Sequence, residues 1–160
     1  MTKKYRNSVS VAVFNKNKDV LVCRRVNETS NNVWQFPQGE IEADEDVVSA
    51  SRRELREETG IISVKHIMSL REPLKYDFPE GSDNWQTRKG FSGQSLSFNL
   101  FYFFGQDKEI NLNYEERAEF SAYKWVEMKE APLVVWHPKR EVYEKALEEF
   151  APVIDKFFVE

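Results

Sequence analysis

Little in this chain marks a special architecture. One cysteine, Cys23, in 160 residues excludes an intramolecular disulfide and is compatible with a reducing compartment. No internal repeat or low-complexity segment interrupts it. No apolar run approaches the ~20 residues that a membrane-spanning helix needs, and the start MTKKYRN lacks the apolar stretch of a secretory signal. These absences lead to an expectation of a cytoplasmic protein with no membrane partner. A basic excess is missing too: 23 Lys and Arg stand against 27 Asp and Glu, a net charge of −4. That argues against binding duplex DNA through a basic face. It leaves room for a small polyanion held by local Lys, Arg and metal.

What is present is the mixture of a globular domain, 41% hydrophobic and 31% charged. The length suits one domain over residues 1–160 with a sizeable core. With 12 Phe, 6 Tyr and 4 Trp, many aromatics must be core, and a few are spare for stacking on nucleobases.

Ser8–Phe14 is rich in β-branched residues and reads as a buried strand. After the polar turn Asn15–Asp19, Val20–Arg25 returns as the second arm of a hairpin. Asn27–Asn32 is loop by composition, and Pro37 keeps Phe36 extended. A helix is expected from Asp44, as N-cap, to Gly60, as left-handed C-cap. Strands are expected over Ile62–Leu70, Glu72–Phe78, Phe91–Phe104 and Glu119–Glu127. Pro79–Gly90 is long for a mere connector. Pro138–Phe158 has helical spacing, with Pro152 placed to kink or divide it. Strands bracketing one central helix, with a second helix at the end, predict a mixed sheet between helices, an α+β arrangement.

The central helix carries the chemistry. At about 100° per residue, Glu54, Glu57 and Glu58 share one face. Val47 and Ala50 lie on that face, while Ser49, Arg52 and Arg56 lie opposite. The acids therefore continue the apolar stripe and face the protein. Inward carboxylates repel one another and are costly to desolvate. Arg53 could neutralise one, and a hard divalent cation could satisfy several. Spacing alone leaves a second reading open, a surface helix laced with i,i+4 ion pairs.

Gly39–Ile61, GEIEADEDVVSASRRELREETGI, resembles the Nudix box, GX5EX7REUXEEXGU with U aliphatic. Gly39, Glu45, Arg53, Glu54, Leu55, Glu57, Glu58, Gly60 and Ile61 stand at its fixed positions. The resemblance implies the Nudix fold, an α/β/α sandwich around a mixed sheet. It also implies Mg²⁺, or Mn²⁺, and attack of water on a nucleoside diphosphate linked to a further group. It assigns Glu54, Glu57 and Glu58 to metal, with the Gly39 carbonyl as a further ligand. Arg53 and Glu45 would orient the acids.

Flanking stretches resemble one branch: Tyr5-Arg6-Asn7, WQFPQG from Trp34, LKYDFP from Leu74, Ser92-Gly93-Gln94, AEFSAYKWV from Ala118 and KREVY from Lys139. That branch holds plant-type and bacterial dinucleoside polyphosphate hydrolases and bacterial RNA 5′-pyrophosphohydrolases. It implies Glu119 as an extra metal ligand and either Glu58 or Glu119 as general base. It offers Arg6, Arg25, Tyr76, Gln94, Trp136, Lys139 and Arg140 as substrate contacts. There are departures. Glu40 replaces a second glycine after Pro37-Gln38-Gly39. Ser95-Leu96-Ser97 stands where basic residues are usual, and Pro138 where a base-holding Phe is usual.

Elsewhere, Trp85, Arg88 and Lys89 are candidates to close over a phosphate chain, or belong to an ordinary surface loop. His66 reads as packed, His137 as a pocket candidate, and Trp34 and Phe36 as core or pocket wall. Cys23 reads as buried and inert. The leading functional reading is a hydrolase of dinucleoside polyphosphates, cutting diadenosine tetraphosphate to ATP and AMP. Release of pyrophosphate from 5′-triphosphate RNA is the alternative, ranked second on net charge and the missing basic residues after Gln94. A non-catalytic nucleotide-binding module is disfavoured by the complete glutamate set.

Overall fold

The computed structural model describes residues 2–30 and 32–159; residue 31, in the loop expected over Asn27–Asn32, lies outside them. The chain runs β1 (Tyr5–Phe14), β2 (Asp19–Arg25), β3 (Gln38–Glu40), α1 (Val47–Thr59), β4 (Val64–Ser69) and β5 (Leu74–Asp77). It continues with α2 (Trp85–Arg88), β6 (Gly93–Phe103), β7 (Phe120–Glu127), α3 (Ala131–Val134) and α4 (Arg140–Phe157). Among the described residues, the sheet order is β4-β6-β1-β2-β7, with β3 on β1 and β5 on β6. β1 and β6 are parallel and the other pairs antiparallel. This is the mixed sheet and α/β/α sandwich expected from the pattern and the resemblance.

Strand alternation explains the two layers. Val9, Val11 and Val13 of β1 pack with Ala50 and Leu55 of α1. Ala12 and Phe14 point the other way and pack with Val142, Tyr143, Ala146 and Phe150 of α4. β1 also splits along its length. Phe14 pairs with Val20 in the hairpin, whereas Ser8, Ser10 and the residue between them pair with Glu40, Gln38 and Gly39. β2 therefore diverges from the N-terminal half of β1, and β3 occupies the gap. A cleft opens there, at one end of the sheet.

Several local expectations shift. Asp46, not Asp44, caps α1: its extended backbone lets Oδ1 accept the Ser49 amide at 2.8 Å, as a cap requires. Asp44 instead takes a left-handed conformation, φ 63°, in the preceding turn. Gly60 closes the helix as expected, with φ 73° and its amide on the Arg56 carbonyl. The polar loop 79–90 folds one short helix, α2, because Asn84 and Thr87 form a capping box. The C-terminal helix begins at Arg140, after a 3-10 turn over His137–Lys139, and continues through Pro152 without dividing. β3 had no sequence pattern of its own. Among the described residues, no helix is long and apolar enough to cross a membrane.

One contact ties α4 to the segment leading into β3. Tyr143, fully buried, stacks on Phe36 with ring centroids 4.6 Å apart. Its hydroxyl oxygen accepts the Phe36 amide at 2.9 Å. Tyr143→Phe keeps the stack but leaves a buried amide unpaired. It is expected to cost ~1–3 kcal/mol, read as a lower denaturant midpoint with an unchanged slope; a wild-type midpoint would contradict this assignment.

Candidate active site

The cleft has a volume of about 730 Å³. α1 supplies Arg53, Glu54, Glu57 and Glu58; β3 and its entry supply Gln38, Gly39 and Glu40; Glu119 stands just before β7. Opposite these, β1 supplies Arg6, β2 Arg25, β5 Tyr76, β6 Gln94 and the turn before α4 Trp136 and Lys139. The cleft thus has an acidic wall and a wall holding three cations, which the net charge of the whole chain conceals.

Arg53 organises the acidic wall. Its Nε and Nη2 donate to the two Glu45 carboxylate oxygens at 2.7 and 2.9 Å. Nη1 donates to Glu54 at 2.8 Å and Glu57 at 3.3 Å, and Nη2 also donates to the Glu40 carbonyl at 2.9 Å. The Glu42 amide completes the turn by donating to Glu45 Oε1 at 3.0 Å. Hydrogen bonding from Arg53 pulls the Glu45 carboxyl down to about 2. Through these bonds Arg53 and Glu45 tie the entry loop to α1.

Glu54 and Glu58 behave oppositely. Burial raises the proton affinity of both, Glu58 strongly, and the neighbouring carboxylates raise it further. Glu58 has one fixed partner, the Gln38 amide, which donates to Oε1 at 3.0 Å. Glu119 sits at the rim, its carboxylate 3.6 Å from Arg25. Among the described residues, no three potential ligand side chains already converge at metal-ligand spacing. Two observations nonetheless fit a hard divalent cation. The donors are all oxygens, and the buried acids lack enough positive charge to offset their desolvation. Gly39 also leaves the room the acids occupy: a Cβ there would lie 2.0 Å from Glu54 Cδ. Gly39 is therefore required for this close approach, whatever its carbonyl binds.

A polar chain that the sequence did not reveal crosses the cleft floor. Lys139 Nζ donates to Gln38 Oε1 at 2.8 Å, and Gln38 Nε2 donates to Gln94 Oε1 at 3.0 Å. The Tyr76 hydroxyl donates to the same Gln94 oxygen at 2.6 Å, while Gln94 Nε2 donates to Gln86 of α2 at 3.1 Å. Gln38 is the hub: its amide holds Glu58 and its side chain holds Lys139. The only signal for it was its place before Gly39, in an extended segment after proline.

Other candidates divide. Trp136 edges against Tyr76 and tilts on Phe78, making an aromatic wall. Trp85 reaches the cleft, but Arg88 and Lys89 do not line it; Arg88 pairs with Asp83. Arg140 does not line it either, since its Nε donates to the Pro132 carbonyl at 3.1 Å. His137 is exposed and absent from the cleft lining, and His66 packs on Phe101. Phe36 is core and Trp34 packs at its edge. Cys23 is buried, and burial pushes its thiol pKa up. Ser95, Leu96 and Ser97 do not line the cleft, and Leu96 is core.

Burial, with Arg25 nearby, lowers the Lys139 pKa from 10.5 to about 7. The unfolded chain therefore binds more protons between those values, so this residue makes stability rise with pH across that window. Lys139→Met should flatten that rise and add ~1–2 kcal/mol below pH 7, because an uncompensated buried charge is removed. Chemical denaturation at several pH values tests this, and an unchanged slope would contradict it.

Comparisons with known proteins identify the family. Over 162 aligned residues the chain is 36% identical to an RNA pyrophosphohydrolase of Bartonella bacilliformis, covering 96% of this chain and 95% of the relative. It is 36% identical to an RNA pyrophosphohydrolase of Caulobacter vibrioides, covering 91% and 86%. An Ap4A hydrolase of C. elegans has a similar fold, with a TM-score of 0.65, 19% identity and 92% and 98% coverage. The NUDIX domain family matches residues 4–146, and the chain therefore belongs to the Nudix family.

Proposed function

We propose that this protein is a metal-dependent RNA 5′-pyrophosphohydrolase, which removes pyrophosphate from 5′-triphosphate RNA. The observation that carries this reading is full-length similarity, 36% identity over 96% of the chain, to a protein of that name. This reverses the order of the sequence-based expectation, in which dinucleoside polyphosphates came first. The Ap4A hydrolase likeness, at 19% identity, supports only the fold. Both arguments against RNA also weaken at the cleft. Arg6, Arg25 and Lys139 concentrate positive charge there despite the net −4. The missing basic residues at positions 95–97 fall outside the cleft lining.

In this reading Glu54, Glu57, Glu58, Glu119 and the Gly39 carbonyl hold Mg²⁺ or Mn²⁺. Such a cation, when bound, screens phosphate charge and lowers the pKa of a water. Arg6, Arg25 and Lys139 hold phosphate oxygens, the two arginines through planar forks. Trp136, Phe78 and Tyr76 offer a base an aromatic wall. Glu58 is the general base: it is buried, held by the Gln38 amide and raised in proton affinity. Glu119, with a side chain 53% exposed beside Arg25, serves as a ligand from the rim.

The test offers 5′-triphosphate RNA and diadenosine tetraphosphate to the purified protein with Mg²⁺, with products separated by ion exchange. Faster turnover of RNA, releasing pyrophosphate or two phosphates, is expected. Faster cleavage of diadenosine tetraphosphate would restore the other ranking, and turnover of neither would favour a binding module. Gly39→Ala should displace the Glu54 carboxylate while sparing the core. We expect activity to fall by about 100-fold, the order of loss that a misplacement of about 1 Å brings. Near-wild-type stability should accompany it, and near-wild-type activity would contradict the packing argument.

A further inference from the structure

Glu40 is the departure from the family pattern that the cleft cannot ignore. It pairs across from Ser8 in the β1–β3 ladder, so its side chain lies on the face that Arg6 shares. Arg6 Nη2 lies 3.4 Å from Glu40 Oε2. The Arg6 guanidinium also sits over the Trp85 ring, 4.9 Å from its centroid. Arg6 is thus covered on one face by indole and on one edge by a carboxylate, and its side chain is only 15% exposed against 61% for Glu40. The Glu40 main chain does not share this freedom, because Arg53 holds its carbonyl. All three side chains line the cleft.

A phosphate oxygen and the Glu40 carboxylate require the same guanidinium edge. The Trp85 contact does not consume that edge, since the guanidinium carbon lies over the indole while Nη2 is directed at Glu40. The Glu40 contact is long and exposed, so it is weak enough to be displaced. While it persists it reduces the fraction of protein ready to bind phosphate, and apparent affinity falls by that fraction.

We propose that Glu40 is an internal competitor for Arg6, a specificity-determining residue that sets how tightly the cleft holds a phosphate chain. In the empty cleft it occupies the Arg6 edge. Substrate displaces it, and it reclaims Arg6 as the phosphate leaves, which favours product release. A ligand must therefore bring contacts beyond its phosphates to be held well. This rests on the reading that the cleft takes nucleoside polyphosphates.

The experiment measures calorimetric affinity for a non-hydrolysable methylene analogue of ATP with Mg²⁺, and for adenosine as an uncharged control. Glu40→Gln should tighten the triphosphate analogue roughly two- to fivefold, the scale of releasing Arg6 from a weak, exposed ion pair. Adenosine affinity should not change. In an Arg6→Gln background the gain from Glu40→Gln should largely vanish, because the shared partner is gone. Equal triphosphate affinity of wild type and Glu40→Gln, including no binding by either, would overturn the proposal. So would the same gain in the Arg6→Gln background, which would mean simple repulsion. The comparison uses no RNA and no turnover, so failure of the RNA assay and failure of the Glu40 proposal are separate results.

Discussion

A single guanidinium holds the acidic wall together. Arg53 joins Glu45 in the entry loop to Glu54 and Glu57 on the helix and to the Glu40 carbonyl on β3. Without it, carboxylates that share one helix face would repel one another and relax toward solvent. With it, loop, helix and strand become one unit, and the Glu54 carboxylate lies against Gly39 in space that a Cβ there would take. Arg53 does not reach Glu58, whose proton affinity is raised by burial and by the neighbouring carboxylates of Glu54 and Glu119. This division is informative. Arg53 fixes the placement of Glu45, Glu54 and Glu57, while burial still raises the proton affinity of Glu54 and, more strongly, of Glu58.

The opposite wall is built by different physics. Arg6, Arg25 and Lys139 come from three separate parts of the chain, and each is held by its own neighbours. Trp85 carries Arg6, Asn27 and Glu119 flank Arg25, and Gln38 takes Lys139. The neutral Gln38 stands between Glu58 and Lys139, and Gln94 and Gln86 extend its network. Glutamine can donate and accept at once, so the chain of contacts runs from Lys139 to α2 without adding charge. A cleft holding both an acidic cluster and basic side chains suits a ligand that needs both, as a phosphate chain accompanied by cations does.

The split of β1 between β2 and β3 turns these walls toward each other. The hairpin end of β1 belongs to the core, packed by Phe14. Its other end carries Arg6 and borders β3, whose next residues are the glycine and glutamate of the cleft. Tyr143 then fixes the Phe36 segment from the far layer. A core contact from the α4 layer thereby anchors the segment that leads into β3.

Much of this was legible in the residues. Periodicity placed the strands and put Glu54, Glu57 and Glu58 on the protein-facing side of one helix, because those patterns are local and repeat every two or 3.6 residues. Gly60 ended that helix as a left-handed cap, and the box spacing named the family. Three things were decided only by the tertiary structure. The Gln38–Gln94–Lys139 network joins residues 56 and 101 positions apart, and no local pattern encodes such a meeting. Arg140 turned to the Pro132 carbonyl because the C-terminal helix starts there and not at Pro138. Net charge counted against RNA as the substrate, yet Arg6, Arg25 and Lys139 share one cleft, since folding sorts charges in space and composition only counts them. The sequence alone determined which chemistry is available; the fold decided which charges face each other, because those contacts exist only once distant segments are packed.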